Sequence, residues 1–206
     1  MKITIVFWNL NKSDLREPIY NLANNHAIDI FFFAECTLPP RDLLKTLNIS
    51  NADYHYAKSV GCEKIETFTR FPNQYILPIK ETPRMSIRRL NLPNHVDLLL
   101  AVVHLHSKQN WRDKSQFVDC IKVSKTIQEA EKMAGHTRTI LLGDLNMHPF
   151  EDGMMSAIGI NGTMSRHIAN RGYRTIDQEQ YQFFYNPMWN FFGDMDQPPG
   201  SFYYNS

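Results

Sequence analysis

The stretch TILLGDLNMHPF, residues 139–150, decides the fold that this 206-residue chain is expected to adopt. Its first four residues are β-branched or aliphatic, which predicts a buried strand, and the glycine and proline that follow prevent the strand from continuing. Asp144 and Asn146 therefore come just after a strand end. Residues two apart in an extended chain point the same way, so this carboxylate and this amide are expected to converge, where they would suit a phosphate or a metal-bound water. A turn in which both side chains bond only to nearby backbone would explain the same letters.

Three further apolar runs predict strands, and each is followed by a polar side chain. The runs are residues 3–8, 28–34 and 97–103, and the side chains are Asn9, Glu35 and His104. A carboxylate directly after a fully apolar strand costs several kcal/mol unless a cation or donors satisfy it. A salt bridge to an arginine would satisfy Glu35, and so would a divalent cation such as Mg²⁺, which prefers one or two carboxylates plus waters and substrate phosphate.

The composition limits the class of protein. The chain has 22 Lys plus Arg and 21 Asp plus Glu, a net charge of +1, which excludes a polybasic binder and leaves nucleic-acid binding to a local patch. Its three cysteines, without CxxC spacing, predict reduced thiols. The N-terminal apolar run is too short for a secretion signal, and no run reaches the ~18 residues needed to span a bilayer. We expect one domain over residues 1–206, located in the cytoplasm, with no integral membrane segment.

The remaining pattern predicts layers of helix and sheet. Residues 111–134 have the apolar spacing of a long helix, and residues 54–60 and 64–71 alternate on either side of a glycine, as in a hairpin. Much of the sheet is therefore expected to be antiparallel. Met85–Leu90 predicts a strand whose two arginines, Arg88 and Arg89, are expected to be solvated. Arg70, near the end of the predicted hairpin, is a candidate phosphate contact, although an exposed structural arginine would look the same.

Four motifs in the same order resemble those of the endonuclease/exonuclease/phosphatase superfamily. They are FWNLN at 7–11, AEC at 34–36, VVHLHS at 102–107 and LLGDLNMHP at 141–149. The resemblance implies an α/β fold, a four-layer α/β sandwich with two mostly antiparallel sheets, and metal-dependent hydrolysis of phosphate esters. It also implies that Glu35 binds Mg²⁺ or Mn²⁺ with the help of Asn9, that His104 contacts the phosphate, and that Asp144 and Asn146 align and deprotonate the attacking water. Ser201 would match a hydroxyl residue near the scissile phosphate.

The chain departs from the superfamily pattern at one place. The superfamily ends in a Ser-Asp-His motif, and no Ser-Asp-His follows Asp144. We therefore expect a domain truncated at the C-terminus, with its last strands missing or supplied by a partner strand or a dimer. The final stretch, residues 200–206, predicts a strand.

The leading hypothesis from the sequence is a Mg²⁺-dependent nuclease that cleaves phosphodiester bonds by in-line attack of an activated water. Trp111, Tyr185 and Trp189 could stack on bases, or pack in the core. Two alternatives stay open, a non-catalytic or partner-dependent binding subunit and a phosphoesterase of phospholipids or inositol phosphates. In a third, His104, His106 and His148 form a zinc site with Asp144.

Overall fold

The computed structural model describes residues 2–107 and 113–191, and the chain divides into two compact units. The first unit contains Met1–Leu105 and Thr126–Leu145, and the second contains His106–Lys125 and Asn146–Ser206. Three sequence predictions lie outside the described residues: Ser201, Trp111 and the strand at 200–206. Within the described ranges, no helix is both long and apolar enough to cross a membrane.

The first unit contains two four-stranded sheets. In sheet one the strands lie in the order β1 (Ile5–Asn9), β2 (Ile30–Ala34), β4 (Ile65–Thr69) and β3 (His55–Tyr56). In sheet two the order is β5 (Ile76–Thr82), β6 (Met85–Leu90), β7 (Leu98–His104) and β8 (Thr139–Asp144). The helices α1 (Arg16–Asn25) and α2 (Pro40–Leu47) belong to this unit, and the helix α3 (Asp113–Ala134) begins in the second unit and ends in the first.

Each sheet has one parallel pair of strands, and its other pairs are antiparallel. The parallel pairs are β1 with β2 and β7 with β8, and in the chain order each pair is connected through a helix, α1 or α3. The prediction of an α/β fold with two mostly antiparallel sheets is therefore confirmed. Parallel strands end at the same edge of a sheet, so each pair places two carboxyl ends side by side.

The alternation of β2 explains how the layers pack. Ile30 and Phe32 point toward sheet two, where they belong to one core with Leu100 and Val102. Phe31 and Phe33 point the other way and pack with apolar residues of α1 and α2, among them Ile19 and Leu43. Glu131 of α3 accepts a hydrogen bond from Thr139 of β8. Sheet one thus lies between α1 and α2 on one face and sheet two on the other, and the three phenylalanines 31–33 fit β2 because both of its faces are covered.

The expectation that Arg88 is solvated was wrong. Its side chain is 1% exposed, because β6 is an interior strand and this residue points into the protein. The buried guanidinium donates hydrogen bonds from Nη2 to the Ala57 carbonyl and to Ser59 Oγ, both at 2.8 Å. A carboxylate oxygen of Glu81 lies 3.7 Å away and supplies the opposite charge. Burial lowers the pKa of Arg88 first of all, and the neighbouring Glu81 opposes that effect.

Arg89 points to the other side of β6 and takes part in an ion cluster around Asp97. Arg89 and Arg138 both donate hydrogen bonds to the Asp97 carboxylate, and His136 Nε2 lies 3.2 Å from it. Burial alone would raise the pKa of Asp97, but the hydrogen bonds from Arg138 and Arg89 outweigh it and lower that pKa from 3.8 to about 2. Asp97 therefore stabilises the folded state above pH 3.8, and this contribution is lost as the pH falls toward 2.

We expect Asp97→Asn to lower the free energy of unfolding by about 1 to 2 kcal/mol at pH 7. The difference from the wild type should shrink as the pH is lowered from 5 to 2, because the wild-type carboxylate then becomes protonated. Urea unfolding at several pH values measures both effects. The control is Asp53→Asn, which should change stability little because the wild-type Asp53 side chain is 90% exposed. If Asp97→Asn lowers the free energy of unfolding equally at every pH, the charge of the Asp97 carboxylate is not what stabilises the fold.

The second unit is built from short elements. It contains α4 (Asp152–Met155), β9 (Gly162–Thr163), α5 (Arg166–Ala169), β10 (Tyr173–Ile176), β11 (Glu179–Gln182) and β12 (Phe184–Tyr185). β10 and β11 form an antiparallel hairpin, and β9 pairs in parallel with β12. The sequence did not predict this hairpin. Its two turn residues, Asp177 and Gln178, both have positive φ as in a type I′ turn, but they lack the glycine that usually announces such a turn.

Candidate active site

The carboxyl ends of the two parallel strand pairs meet at one rim of the first unit. Asn9 is in register with Ala34, the residue before Glu35, and His104 is in register with Asp144. The chain therefore delivers one polar side chain at the end of each of these four strands. The structure brings all four together, as the sequence predicted for strands that end side by side.

Asn9 is the centre of this group. Its amide nitrogen Nδ2 donates to Asp144 Oδ2 at 2.9 Å and lies 3.3 Å from Glu35 Oε1, so it connects the two carboxylates. Its amide oxygen Oδ1 accepts a hydrogen bond from the backbone nitrogen of Asn11 at 2.9 Å, which fixes the orientation of the side chain. Two carboxylates, one from each sheet, thus point at the same small group.

His104 completes the group from sheet two. Its Nε2 lies 3.3 Å from Glu35 Oε1, and the residue is only 7% exposed. Burial lowers the pKa of His104 because it disfavours the imidazolium; the charges of Asp144 and Glu35 oppose this effect, and those of Arg84 and Lys64 add to it. A neutral ring with its proton on Nε2 presents an N–H group at this rim. Among the described residues, the buried Nδ1 has no hydrogen-bond partner.

Two backbone conformations make this convergence possible. Glu35 has φ of 47°, a left-handed conformation that is uncommon for a residue with a side chain, and its carbonyl accepts a hydrogen bond from Lys12 N at 3.0 Å. Gly143 has φ of 136°, and a Cβ at this position would lie 2.0 Å from the carbonyl oxygen of Val103. Only glycine fits so close to β7, which explains the glycine before Asp144 in the GDLN motif.

The donor set fits a hard divalent cation. Glu35 and Asp144 offer carboxylate oxygens, the ligands that Mg²⁺ and Mn²⁺ prefer, and both carboxylates already converge on the electropositive N–H group of Asn9. In the described ranges, no three His, Cys, Asp or Glu residues are grouped as a metal cluster. Mg²⁺ does not need such a cluster, because it commonly takes one or two carboxylates and completes its shell with water and phosphate. Zn²⁺ does need one, so the histidine zinc site finds no support.

The other predicted site residues are placed differently. Arg70 follows β4 at the end where Thr69 pairs with Ile30, so it lies at the opposite end of β2 from Glu35. There its backbone nitrogen donates to the Asp29 carbonyl and its guanidinium covers the ring of Tyr54. The structure therefore does not bring Arg70 to the rim that carries Glu35, and its contact with a phosphate stays a prediction.

Two predicted residues keep their roles only as predictions. Asn146 belongs to the second unit, has φ of 53°, and accepts a hydrogen bond on its backbone carbonyl from Gln116 Nε2. Ser201 lies in the part of the chain that the structure does not describe.

His106, in the second unit, has a carboxylate partner of its own: its Nδ1 is 2.9 Å from Asp119 Oδ2.

Sequence reasoning missed two cations at the rim, Lys64 and Arg84. Lys64 immediately precedes β4, whose first residue Ile65 pairs with Ala34, so it lies beside the position of Glu35. Arg84 immediately precedes β6, and its carbonyl accepts the hydrogen bond from His104 N at 3.0 Å. The missing signal was the strand pairing, because a residue before one antiparallel strand is a neighbour of the residue after the other.

Comparison with solved structures decides which fold this is. No protein-family model and no curated protein sequence matches the chain. The structure of the human nocturnin catalytic domain with bound sulfate matches with a TM-score of 0.52 and 13% identity, covering 76% of this chain and 70% of that one. The F277A, P278A mutant of Staphylococcus aureus beta toxin with bound magnesium ions matches with a TM-score of 0.51 and 12% identity, covering 84% and 77%. The chain has the endonuclease/exonuclease/phosphatase fold.

The resemblance inferred from the four motifs is thereby confirmed at the level of the fold. A beta-hairpin deletion mutant of the same Staphylococcus aureus toxin matches with a TM-score of 0.50 and 12% identity, covering 85% of this chain and 74% of that chain. Identities of 12–13% establish the endonuclease/exonuclease/phosphatase fold and leave the activity of this chain to its own residues.

Proposed function

We propose that this protein is a Mg²⁺- or Mn²⁺-dependent phosphoesterase that hydrolyses phosphodiester bonds of nucleic acid. The observation that carries the proposal is the convergence of Asn9, Glu35, His104 and Asp144 from the ends of two parallel strand pairs. The general phosphoesterase fold of the chain supports it. The magnesium ions in the beta toxin mutant support the choice of cation.

Glu35 would hold the cation, with Asp144 beside it, and Asn9 would help by orienting both carboxylates through its Nδ2. When bound, this cation neutralises the charge that grows on the phosphoryl oxygens and lowers the pKa of a coordinated water. The donor set is matched to that task, since a site with two converging carboxylates carries the negative charge that a divalent cation compensates.

The chain's own residues supply the remaining steps. Asp144 accepts a proton from the attacking water, and the hydrogen bond from Asn9 Nδ2 keeps the carboxylate in place as it does so. His104, neutral and buried, donates from Nε2 to a phosphate oxygen and stabilises the charge of the transition state.

Exposed aromatic rings in the second unit support nucleic acid as the substrate class. The rings of His148 and Phe150 are stacked at 5.4 Å with an angle of 5° between them, and Trp189 lies 5.9 Å from Phe150. Phe150 is 50% exposed, which leaves ring surface for a base to stack on. Tyr185, also proposed from the sequence, instead has the guanidinium of Arg166 over its ring at 5.2 Å.

We expect Mg²⁺ or Mn²⁺ to be required for the hydrolysis of a labelled oligonucleotide. Removal of the metal with EDTA should lower the rate at least about a hundredfold, because the transition-state charge is then no longer neutralised, and excess Mg²⁺ should restore it. The measurement is product formation on a denaturing gel. Sphingomyelin vesicles and inositol trisphosphate are assayed in parallel as other phosphoesters.

Each outcome of this assay has a defined meaning. If sphingomyelin or inositol trisphosphate is hydrolysed in a metal-dependent manner and the oligonucleotide is not, nucleic acid is not the substrate. The protein would then still be a phosphoesterase. An absence of hydrolysis on every substrate, by folded protein with Mg²⁺, would overturn the enzyme and favour a binding subunit.

A further inference from the structure

The rim that carries the candidate site also carries two cationic side chains to which the resemblance assigns no role. Lys64 stands beside Glu35 at the end of sheet one, and Arg84 stands beside His104 at the end of sheet two. The same strand register that gathers the acidic and imidazole groups therefore places a positive charge on each sheet next to them. A site of two carboxylates without cations would repel phosphate, and these two residues offset that repulsion.

Arg84 is held in place without being neutralised. Its Nη1 donates to the carbonyl oxygen of His104 at 3.1 Å, which anchors the guanidinium to the main chain of a site residue. Arg88 and Arg89, on the strand that follows, each have a carboxylate partner, whereas in the described part of the chain Arg84 has none. A guanidinium has five N–H donors in a planar fork that matches a phosphate, so most of its donors remain for a ligand.

Lys64 resembles Arg84 in this respect. It is exposed, and among the described residues its ammonium has no carboxylate partner, although Glu35 follows the neighbouring strand. The register places Lys64 next to the strand end that carries Glu35, and Arg84 opposite His104. The two positive charges therefore stand at the ends of the same strands that supply the site residues.

Resting on the proposed function, we propose that Lys64 and Arg84 form a subsite for a substrate phosphate next to the one that is cleaved. The cleaved phosphate belongs with Asn9, Glu35 and Asp144, whereas Arg84 is anchored at the backbone of His104 rather than at its ring. The subsite selects substrates that carry two or more phosphates, as a nucleic-acid strand does. Lys64 and Arg84 are binding residues, and they take no part in the chemical step.

The test compares two substrates that differ only in the number of phosphates, the dinucleotide TpT and an octathymidylate. Lys64→Gln and Arg84→Gln should each raise KM for the octathymidylate about tenfold, the loss of one charge-assisted contact, with kcat unchanged. KM for TpT should stay within about twofold of the wild type, because TpT has no second phosphate. Arg84→Lys keeps the charge but not the fork, and should recover part of the loss.

Lys132→Gln, which removes an exposed cation from the last turn of α3, is the matched control and should leave both substrates unaffected. Equal losses on TpT and octathymidylate would overturn the proposal, since the cations would then act on the cleaved phosphate or on the fold. An octathymidylate KM that is unchanged in both variants would overturn it as well.

A binding measurement separates this proposal from the proposed function. Fluorescein-labelled octathymidylate is titrated in EDTA and followed by anisotropy at several salt concentrations. Each Gln variant should weaken binding and reduce the slope of log K against log salt by about 0.7, one released counterion contact on a single strand. If the Gln variants have a reduced slope and the wild type does not hydrolyse the substrate, the phosphate subsite is supported and the proposed hydrolase function is rejected. An unchanged slope in both variants would reject the subsite even if the wild type hydrolyses.

Discussion

Replacing Glu35 with glutamine is expected to lower kcat for phosphodiester hydrolysis about a thousandfold. The substitution preserves shape, and the glutamine Oε1 can still accept the hydrogen bond from Asn9 Nδ2, so the rim should stay folded. What is lost is the negative charge that a divalent cation requires at this position. The measurements are kcat at saturating Mg²⁺ and the affinity for Mn²⁺ by calorimetry, which should weaken in the same variant.

Glu17→Gln provides the comparison for this experiment. Glu17 is an exposed residue in the first turn of α1, so its loss of charge changes the net charge equally without touching the rim. It should retain wild-type kcat and Mn²⁺ affinity. If Glu35→Gln hydrolyses within tenfold of the wild type and binds Mn²⁺ equally well, Glu35 is not a metal ligand.

Replacing Gly143 with alanine is expected to cost at least about 4 kcal/mol of folding free energy, enough to unfold much of the protein. A Cβ at this position would lie 2.0 Å from the Val103 carbonyl oxygen and 2.8 Å from the Val103 nitrogen. Both atoms belong to the backbone of β7, which is buried and paired with β8, so neither can move away. Urea unfolding followed by circular dichroism measures the loss.

Gly135→Ala tests whether this cost arises from close contact or from φ alone. Gly135 also has positive φ, 74°, but a Cβ there would meet nothing within 4 Å. Its replacement should therefore cost only about 1 to 2 kcal/mol, the strain of a left-handed alanine. Equal costs at the two positions would contradict the steric explanation for the glycine of the GDLN motif.

The sequence predicted the parts of the site that follow from strand ends. Asn9, Glu35 and His104 come directly after an apolar run, and Asp144 follows its run after one glycine. A run followed by a polar residue is visible without knowing which strands pair. Lys64 and Arg84 come directly before strands, where a charged residue is common and carries no signal. Their positions became informative only once the antiparallel register placed Ile65 opposite Ala34 and Arg84 opposite His104.

The positions of Arg70 and Arg88 could not be derived from the sequence, for a related reason. Arg70 was assigned by charge alone, and the direction of β4 places it at the far end of the sheet. The burial of Arg88 depends on Ala57, Ser59 and Glu81, whose oxygens surround it only after β3 and β5 are in place. Alternation within six residues cannot reveal partners that come from other strands, so the polar residue was expected on the outside.

The hydrogen bond from Asn9 to Asp144 joins residues that are 135 positions apart. A ribosome that adds about 5 to 20 residues per second needs roughly 7 to 27 seconds to make the chain between them. During translation, Glu35 is therefore present long before the second carboxylate, and β7 has no parallel partner until β8 leaves the ribosome. An unfinished or proteolytically shortened chain that lacks residue 144 can complete neither the acidic pair nor the second sheet. The candidate site can therefore form only in chains whose synthesis has passed that residue.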